Sequence, residues 1–307
     1  MLDFCAILDE YGINDSSSFE EIRRIADLEE FYDSSTVAEI YNYILCNIKN
    51  PDILIGVIRL SDTHKSPELL SSLLDILLLK RNGIDDPESL INIRAACAKA
   101  ISGYKDPSTV GALLYCLNNK GENYKIRLAC ADALGHIGNR YAVKPLIDVV
   151  KDEDEKSVYV QESAATALGL LGDTSAIDPL VSVMESKHGL WGKFSFLKER
   201  IVEALGRLNI KSVKVLNVFK QSLMDSSPIV RINTIEALMN SEYEEAETLI
   251  RSALKDKDTE VQRNALIALY NMTGSDILEE VISLPGYSDF LKNEAQALAD
   301  EIEEEDE

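Results

Sequence analysis

One pattern of hydrophobic and polar positions recurs along the middle of the chain. An aliphatic residue is followed directly by Arg, Gln or Lys, and an alanine stands seven positions after the aliphatic residue. Most of these segments also carry a small residue four positions after the aliphatic one. Positions spaced by four and seven lie on one face of an α-helix, so each segment predicts a helix with one packed face. The segments span 93–101, 126–134, 160–168, 197–205, 230–238 and 261–269.

The alanine of this pattern marks a repeat. It recurs about every 33 residues, a spacing typical of helical repeat proteins. In the clearest repeats Gly-x-x-Gly ends the patterned helix, at 135–138 and 169–172, because glycine accepts a positive φ. A second helix follows with an early proline, Pro145 or Pro179. Two helices per repeat, neither able to bury its apolar face alone, predict a helical solenoid. The repeated alanines are Ala100, Ala133, Ala167, Ala204, Ala237 and Ala268.

The segments Ile126–Gly138 and Val160–Gly172 carry a family resemblance. They resemble HEAT repeats of the short, phycobilisome-lyase type, and the likeness extends over 88–273, loosening after Gly206 where Gly-x-x-Gly is lost. The resemblance implies an all-α fold, a right-handed α-solenoid of HEAT-like helical hairpins whose Arg-bearing helices line the concave face. It specifies the fold more closely than the function, because the same repeat serves bilin lyases, adaptors and assembly factors.

The ends of the chain lack the full pattern. Residues 1–87 are interpreted as a divergent helical N-terminal cap, continuous with the solenoid of 88–273. Residues 274–299 are interpreted as a C-terminal capping helix region, followed by an acidic tail at 300–307. Apolar periodicity predicts helices outside the repeats at 19–32, 36–49, 52–60, 67–80 and 288–303.

Charge and cysteine content narrow the function classes. The 307 residues include 31 Lys plus Arg and 53 Asp plus Glu, which gives a formal net charge of −22. Such a chain is expected to repel nucleic acid, because affinity for phosphates comes from clustered cations. The sequence has no uncharged apolar run of roughly 18 residues, so membrane insertion is not expected. Five cysteines without a Cys-x-x-Cys pair, and no basic leader, indicate a cytoplasmic protein.

The catalytic inventory is small, which favours a non-catalytic protein without a cofactor. His64, His136 and His188 fall in predicted turns and match no catalytic or metal-binding motif. The chain has no His-Glu dipeptide, the motif by which HEAT-type hydroxylases bind iron, so the resemblance does not extend to them.

Three cysteines leave an alternative open. Cys97 and Cys130 occupy the small-residue position of the pattern, where a free thiol acts as a compact hydrophobe. With Cys116 they also suggest an iron–sulfur assembly factor.

The cations at the polar position of the pattern have two interpretations. The favoured one is a structural ladder, in which Arg94, Arg127 and Arg231 bond to loop carbonyls or to an acid of the preceding repeat. The other is a clamp for an anionic substrate.

The outward positions of the patterned helices suggest a binding surface. Apolar side chains flanked by carboxylates are typical of a protein interface, although inward tilt of the helix starts would instead bury them. The longest spacing between repeats holds a loop with the single tryptophan of the chain and several cations, a second recognition candidate. The candidate partner-binding residues are Tyr159, Glu162, Trp191, Lys193, Phe196, Glu199, Ile229 and Ile232, with Glu203 and Glu236 nearby.

These observations favour a scaffold or adaptor that binds a protein partner in an acidic, partly aromatic concave groove. The resemblance implies an alternative, a phycobilin lyase or a chaperone of bilin and phycobiliprotein. In that case an open-chain tetrapyrrole would stack on Tyr159, Phe196 and Trp191, its protonated nitrogens would pair with Glu162 or Glu199, and the partner would be a phycobiliprotein.

Overall fold

The computed structural model describes residues 3–16, 19–79, 84–186 and 195–305. Within these ranges the regular structure is α-helical apart from short 3-10 turns, and no strand forms. The chain divides into two compact units, residues 1–167 and 168–307, with the boundary inside one helix.

The first unit begins with helices that precede the patterned segments. The predicted helices at 19–32, 36–49, 52–60 and 67–80 are present, and a further short helix that no periodicity indicated lies near the N-terminus. The helices are α1 Phe4–Glu10, α2 Phe19–Phe31, α3 Ser34–Asn47, α4 Pro51–Leu60, α5 Pro67–Leu77, α6 Pro87–Tyr104, α7 Val110–Asn118, α8 Tyr124–Ile137, α9 Val143–Lys151 and α10 Val158–Leu171.

The helices of this unit alternate between two layers. We call the odd-numbered helices from α3 onward A helices and the even-numbered ones B helices. The B helices α4, α6 and α8 pack side by side, and among the A helices α3 packs on α5 and α7 on α9. Each hairpin also packs internally, as in α5 with α6 and α7 with α8. The alternation therefore starts at α3, before the sequence pattern becomes recognisable.

The second unit repeats this arrangement. Its B helices α12, α14, α16 and α18 pack in sequence, and α13, α15 and α17 join them into hairpins. The final helix confirms the one predicted at 288–303. The helices are α11 Ile177–Glu185, α12 Ser195–Leu208, α13 Val213–Ser222, α14 Pro228–Met239, α15 Ala246–Ala253, α16 Thr259–Thr273, α17 Asp276–Ser283 and α18 Asp289–Glu305.

The two glycines of Gly-x-x-Gly have different roles, which corrects the sequence interpretation. Helix α10 continues through Gly169 and ends only before Gly172, whose φ is +66°. Gly138 ends α8 in the same way, with φ +76°. Only the second glycine therefore supplies the left-handed backbone that ends the helix.

The first glycine lets successive B helices approach closely. A Cβ on Gly169 would lie 2.9 Å from the Cα of Ala204 on α12. A Cβ on Gly206 would lie 2.8 Å from the Cβ of Ala237 on α14. Two of the repeated alanines, Ala204 and Ala237, thus face the preceding B helix.

We expect Gly169→Ala to lower the free energy of unfolding by about 1–3 kcal/mol, because the new methyl group meets backbone that cannot move aside. Gly206→Ala should cost a similar amount, since its nearest neighbour, the Cβ of Ala237 at 2.8 Å, is fixed to the backbone of α14. Gly111→Ala is the control: it lies in α7 with no atom within 4 Å of the added Cβ, so helix propensity should leave stability unchanged or higher. Urea unfolding measures all three, and equal losses at 111 and 169 would contradict the packing.

Candidate functional site

One polar side chain of each patterned B helix, in the first turn of all of them except α6, bonds to groups at the ends of the helices or in the loops between them. Arg127 on α8 donates from Nε to the carbonyl of Leu117 at the end of α7, at 2.8 Å. Its Nη1 and Nη2 donate to both carboxylate oxygens of Glu155, at 2.9 and 2.7 Å. Glu155 lies in the loop before α10, so one guanidinium joins its own hairpin to the next.

The same connection recurs along the chain. Arg94 donates to the carbonyl of Leu77 and to Glu122, and Lys198 lies 2.7 Å from Asp225. We call this series the ladder; its members are Arg94, Arg127, Gln161, Lys198, Arg231 and Gln262. In the neutral members the amide takes over the carbonyl bonds, from Gln161 to Val150 and Asp152 and from Gln262 to Asp256.

The ladder is structural, as the sequence favoured, but the position of the acid differs. The carbonyl bonds lie in the same hairpin, whereas the acid belongs to the following repeat and not to the preceding one. Arg231 shows both directions: Nη1 donates to the carbonyl of Asp225 in its own loop, and Nε and Nη2 donate to Asp256 in the next. Because the three arginines are buried in these bonds, they are not available as a substrate clamp.

Hydrogen bonds from the ladder side chains lower the pKa of the carboxyl groups with which they pair. Burial alone would raise the pKa of the Glu155 carboxyl, but bonds from Arg127 and from the Ser157 N–H hold that pKa below its ordinary value. The same balance, with Lys198 and the Ser227 N–H, lowers the pKa of Asp225. The ionised form is therefore favoured by the fold at both positions.

The starts of the B helices carry the exposed apolar side chains predicted from the sequence. Tyr159 is 55% exposed, Phe196 58% and Ile229 49%. The alternative, that inward tilt buries them, is wrong for these three residues. The ladder explains the orientation: its side chain turns inward two residues later, and positions two apart on a helix face different directions.

The sequence analysis missed Tyr124, the first residue of α8. Its ring centroid lies 6.0 Å from that of Tyr159, with the planes inclined by 32°. Tyr124 lies three residues before its ladder residue, Arg127, whereas Tyr159 lies two before Gln161. A comparison of equivalent repeat positions therefore did not select it. The two rings form an exposed aromatic pair in the first unit.

Phe196 and Ile229 occupy equivalent positions on the packed helices α12 and α14 of the second unit. Glu199 does not lie on the exposed face expected for it: it is 3% exposed and accepts a hydrogen bond from the Ser227 hydroxyl at 3.2 Å. The start of α14 covers it. Ile232 is half-buried between these helices.

The remaining candidates fall into three groups. Glu162 is half-buried on α10 and Glu236 is exposed on α14. Glu203 bonds to Arg200 and Arg207, at 2.7 and 2.8 Å, which offsets its charge. Trp191 and Lys193 lie outside the described residues.

A groove over the B helices of the first unit is not acidic, and it is not the surface around Tyr159 to Ile232 that the sequence suggested. Its volume is about 1080 Å³, and it runs across α4, α6 and α8. Its lining includes Arg59, Lys99, Lys125 and His136 but only two carboxylates, Asp62 and Asp132. The description as acidic therefore does not apply to this groove.

The three cysteines of the iron–sulfur alternative are buried. Burial raises the pKa of the Cys97 thiol, against the opposing charge of Arg94. A hydrogen bond with Cys116, together with burial, raises the pKa of the Cys130 thiol. In the described ranges no group of three His, Cys, Asp or Glu side chains is placed to hold a metal ion. Among the helices described, none combines the length and hydropathy that a membrane span requires.

Replacing Glu155 by Gln should leave the buried Arg127 guanidinium without its counter-charge and lower the free energy of unfolding at pH 7 by about 3–5 kcal/mol. Since the folded-state pKa of Glu155 is depressed, the native pair stabilises the fold above pH 4.5 and loses its contribution as the pH falls further. The variant should therefore show a flatter pH dependence in that acid range. Chemical unfolding at a series of pH values measures this. Glu153→Gln, exposed in the same loop, is the control and should change stability by less than about 0.5 kcal/mol.

A thiol reagent such as Ellman's should modify Cys5 and Cys46 rapidly in the folded protein, because both are exposed. Cys97, Cys116 and Cys130 are buried and should react only on unfolding. Counting released chromophore before and after adding denaturant tests this, and rapid reaction of a third thiol in the folded state would contradict it.

Comparison with known proteins agrees with this architecture. The family model of HEAT repeats matches residues 78–158, 113–193, 193–269 and 216–299. No curated protein matches the chain. Among solved structures, the complex of CpcE and CpcF of phycocyanin lyase from Nostoc is similar, at 22% identity and a TM-score of 0.48, over 76% of this chain and 95% of that one. Human deoxyhypusine hydroxylase in complex with glycerol is similar at 15% identity and a TM-score of 0.38, over 87% and 96%. The matched repeats cover most of the sequence, and the chain belongs to the HEAT-repeat family, an all-α solenoid of helical hairpins.

Proposed function

We propose that this HEAT-repeat protein is a non-catalytic scaffold that holds a protein partner against the exposed starts of its B helices. The observation that carries the proposal is the recurrence of exposed apolar side chains at these starts, in both units. Single exposed apolar residues are ordinary on protein surfaces. Their recurrence at one structural position of successive repeats is typical of a binding surface.

The chemistry of these side chains supports a protein ligand. Tyr and Phe supply large contact areas with little loss of side-chain entropy, and aromatic residues are enriched among the anchors of interfaces. The ladder fixes the first turn of each helix, so the anchors are held in place before the partner arrives. Preorganisation of this kind lowers the entropic cost of binding.

We call these exposed apolar helix starts the apolar row: Tyr124, Tyr159, Phe196 and Ile229. The charge around the apolar row favours a neutral or basic partner segment. Glu162 and Glu236 lie on the same helices as Tyr159 and Ile229. A basic segment would be attracted by these carboxylates, which would raise the association rate at low salt. Trp191 and Lys193 precede Phe196 closely in the sequence, and we include them in the proposed surface.

The test is capture of partners by the tagged chain, followed by measurement with the purified partner. Tyr159→Ser and Phe196→Ser should each weaken binding by about tenfold, because a truncated central anchor costs more than 1 kcal/mol. Both side chains are exposed, so circular dichroism and thermal unfolding should remain as in the parent protein. Isothermal titration of the captured partner gives the affinities.

The matched control residues lie at or just before the start of an A helix, Tyr141 before α9 and Val213 at the start of α13. Tyr141 is 84% exposed in the first unit and Val213 75% exposed in the second, and neither belongs to the row. Tyr141→Ser and Val213→Ser should leave affinity unchanged. Equal weakening by row and control variants would contradict the proposal. A shift in the visible absorbance of an added open-chain tetrapyrrole, lost in Phe196→Ser, would contradict a purely protein-binding role.

A further inference from the structure

The groove over α4, α6 and α8 differs in kind from the corresponding surface of the second unit. Small side chains line much of its floor, with Ala95 and Ala96 on α6 and Ala129 on α8, beside the larger Leu128. These follow the ladder position by one or two residues. The equivalent positions of α12 hold Glu199 and Arg200. Small floor residues leave room for a peptide backbone to approach the helices directly.

Unpaired cations lie above this floor. Arg59 and Lys99 are exposed, and neither forms an ion pair or hydrogen bond within the described part of the chain. Lys125 is the third cation and lies 2.6 Å from Glu88. In a protein whose formal charge is −22, this is a local reversal of sign.

The acids of the groove are largely compensated. Asp62 pairs with Lys65 at 2.9 Å. Asp132 is half-buried on α8: burial raises the pKa of its carboxyl, against a hydrogen bond with Ser163 and the smaller effects of His136 and Lys99. Arg59, and Lys99 whose charge offsets that of Asp132 only in part, are therefore the groups able to receive new carboxylates.

The positions of Arg59 and Lys99 define the distance that two carboxylates of a ligand would have to span. Arg59 follows the fully buried pair Val57–Ile58 on α4, and Lys99 follows the fully buried pair Cys97–Ala98 on α6. The two helices pack against each other. Packed helices lie about 8–10 Å apart. In a polyproline II segment, residues three apart point to the same side and are separated by about 9 Å. Self-repulsion keeps acidic segments extended, so they adopt such a conformation readily.

We propose that this groove binds an extended acidic segment of a partner protein, with its backbone over the alanine floor and carboxylates of residues three apart at Arg59 and Lys99. Nucleic acid offers anions too, but the overall negative charge of the chain opposes binding of a long polyanion. This groove meets the exposed apolar helix starts only at Tyr124, and neither Arg59 nor Lys99 is one of those starts, so the proposal does not rest on the proposed function.

The probes are fluorescent nonapeptides of Glu and Ser with equal composition. One carries Glu at every third position, and the other carries its Glu residues consecutively. Fluorescence anisotropy with the full chain should show tighter binding of the first peptide, weakening as salt is raised. Equal affinity of the two peptides, or no binding of either, would overturn the proposal.

Variants locate the site. Arg59→Glu/Lys99→Glu should weaken binding of the spaced peptide by about tenfold, as expected for two lost exposed ion pairs. Lys144→Glu/Lys151→Glu makes the same change of charge on α9, outside the groove, and should have little effect. Equal weakening by both pairs would reveal only nonspecific attraction and overturn the assignment.

Two further measurements separate the contributions. Ala129→Leu fills the floor without a change of charge and should also weaken binding, with helicity by circular dichroism confirming that the variant folds. Phe196→Ser, in the apolar row of the second unit, should leave peptide binding unchanged even if it abolishes binding of the scaffold's partner.

A single-stranded oligothymidylate that binds more tightly than the peptide, and loses affinity in Arg59→Glu/Lys99→Glu, would overturn the peptide assignment in favour of nucleic acid.

Discussion

The bonds from the buried ladder side chains to the neighbouring loops are the interactions on which the rest of the structure depends. They satisfy carbonyls left open at the end of an A helix and, in the charged members, include a pair with an acid of the next repeat. Removing one partner would strand a buried charge or polar group, which costs far more than the bond contributes in net terms. The ladder therefore fixes which face of each patterned B helix is exposed.

The same helix positions carry different chemistry in the two units. In the groove of the first unit, Ala95, Ala96 and Ala129 follow the ladder positions closely, and Arg59 and Lys99 are the cations without a salt bridge. In the second unit, Glu199 is buried and Glu203 is held between two arginines, which leaves the apolar helix starts as the prominent feature. A repeat whose core is fixed by the ladder and by close alanine contacts can vary these outward positions without disturbing its packing.

Repetition made the fold predictable from the sequence. The ladder residue, the small position and the alanine recur in step, and the helices they predicted are present in the described ranges. What the sequence could not indicate depended on contacts between repeats: which loop supplies the acid of Arg127, which helix Ala204 faces, and that the start of α14 covers Glu199. Tyr124 was missed because it lies one position out of register, and the cationic groove because Arg59 precedes the recognisable repeats.

The most direct test of the account is hydrogen–deuterium exchange of the chain with and without its captured partner. First-turn N–H groups of a helix lack intrahelical acceptors and exchange readily, so contact there gives a clear change. We predict slowed exchange at the starts of α8, α10, α12 and α14, with none around Tyr141 and Val213. Protection confined to the A helices would contradict the claim that the B-helix starts form the binding surface.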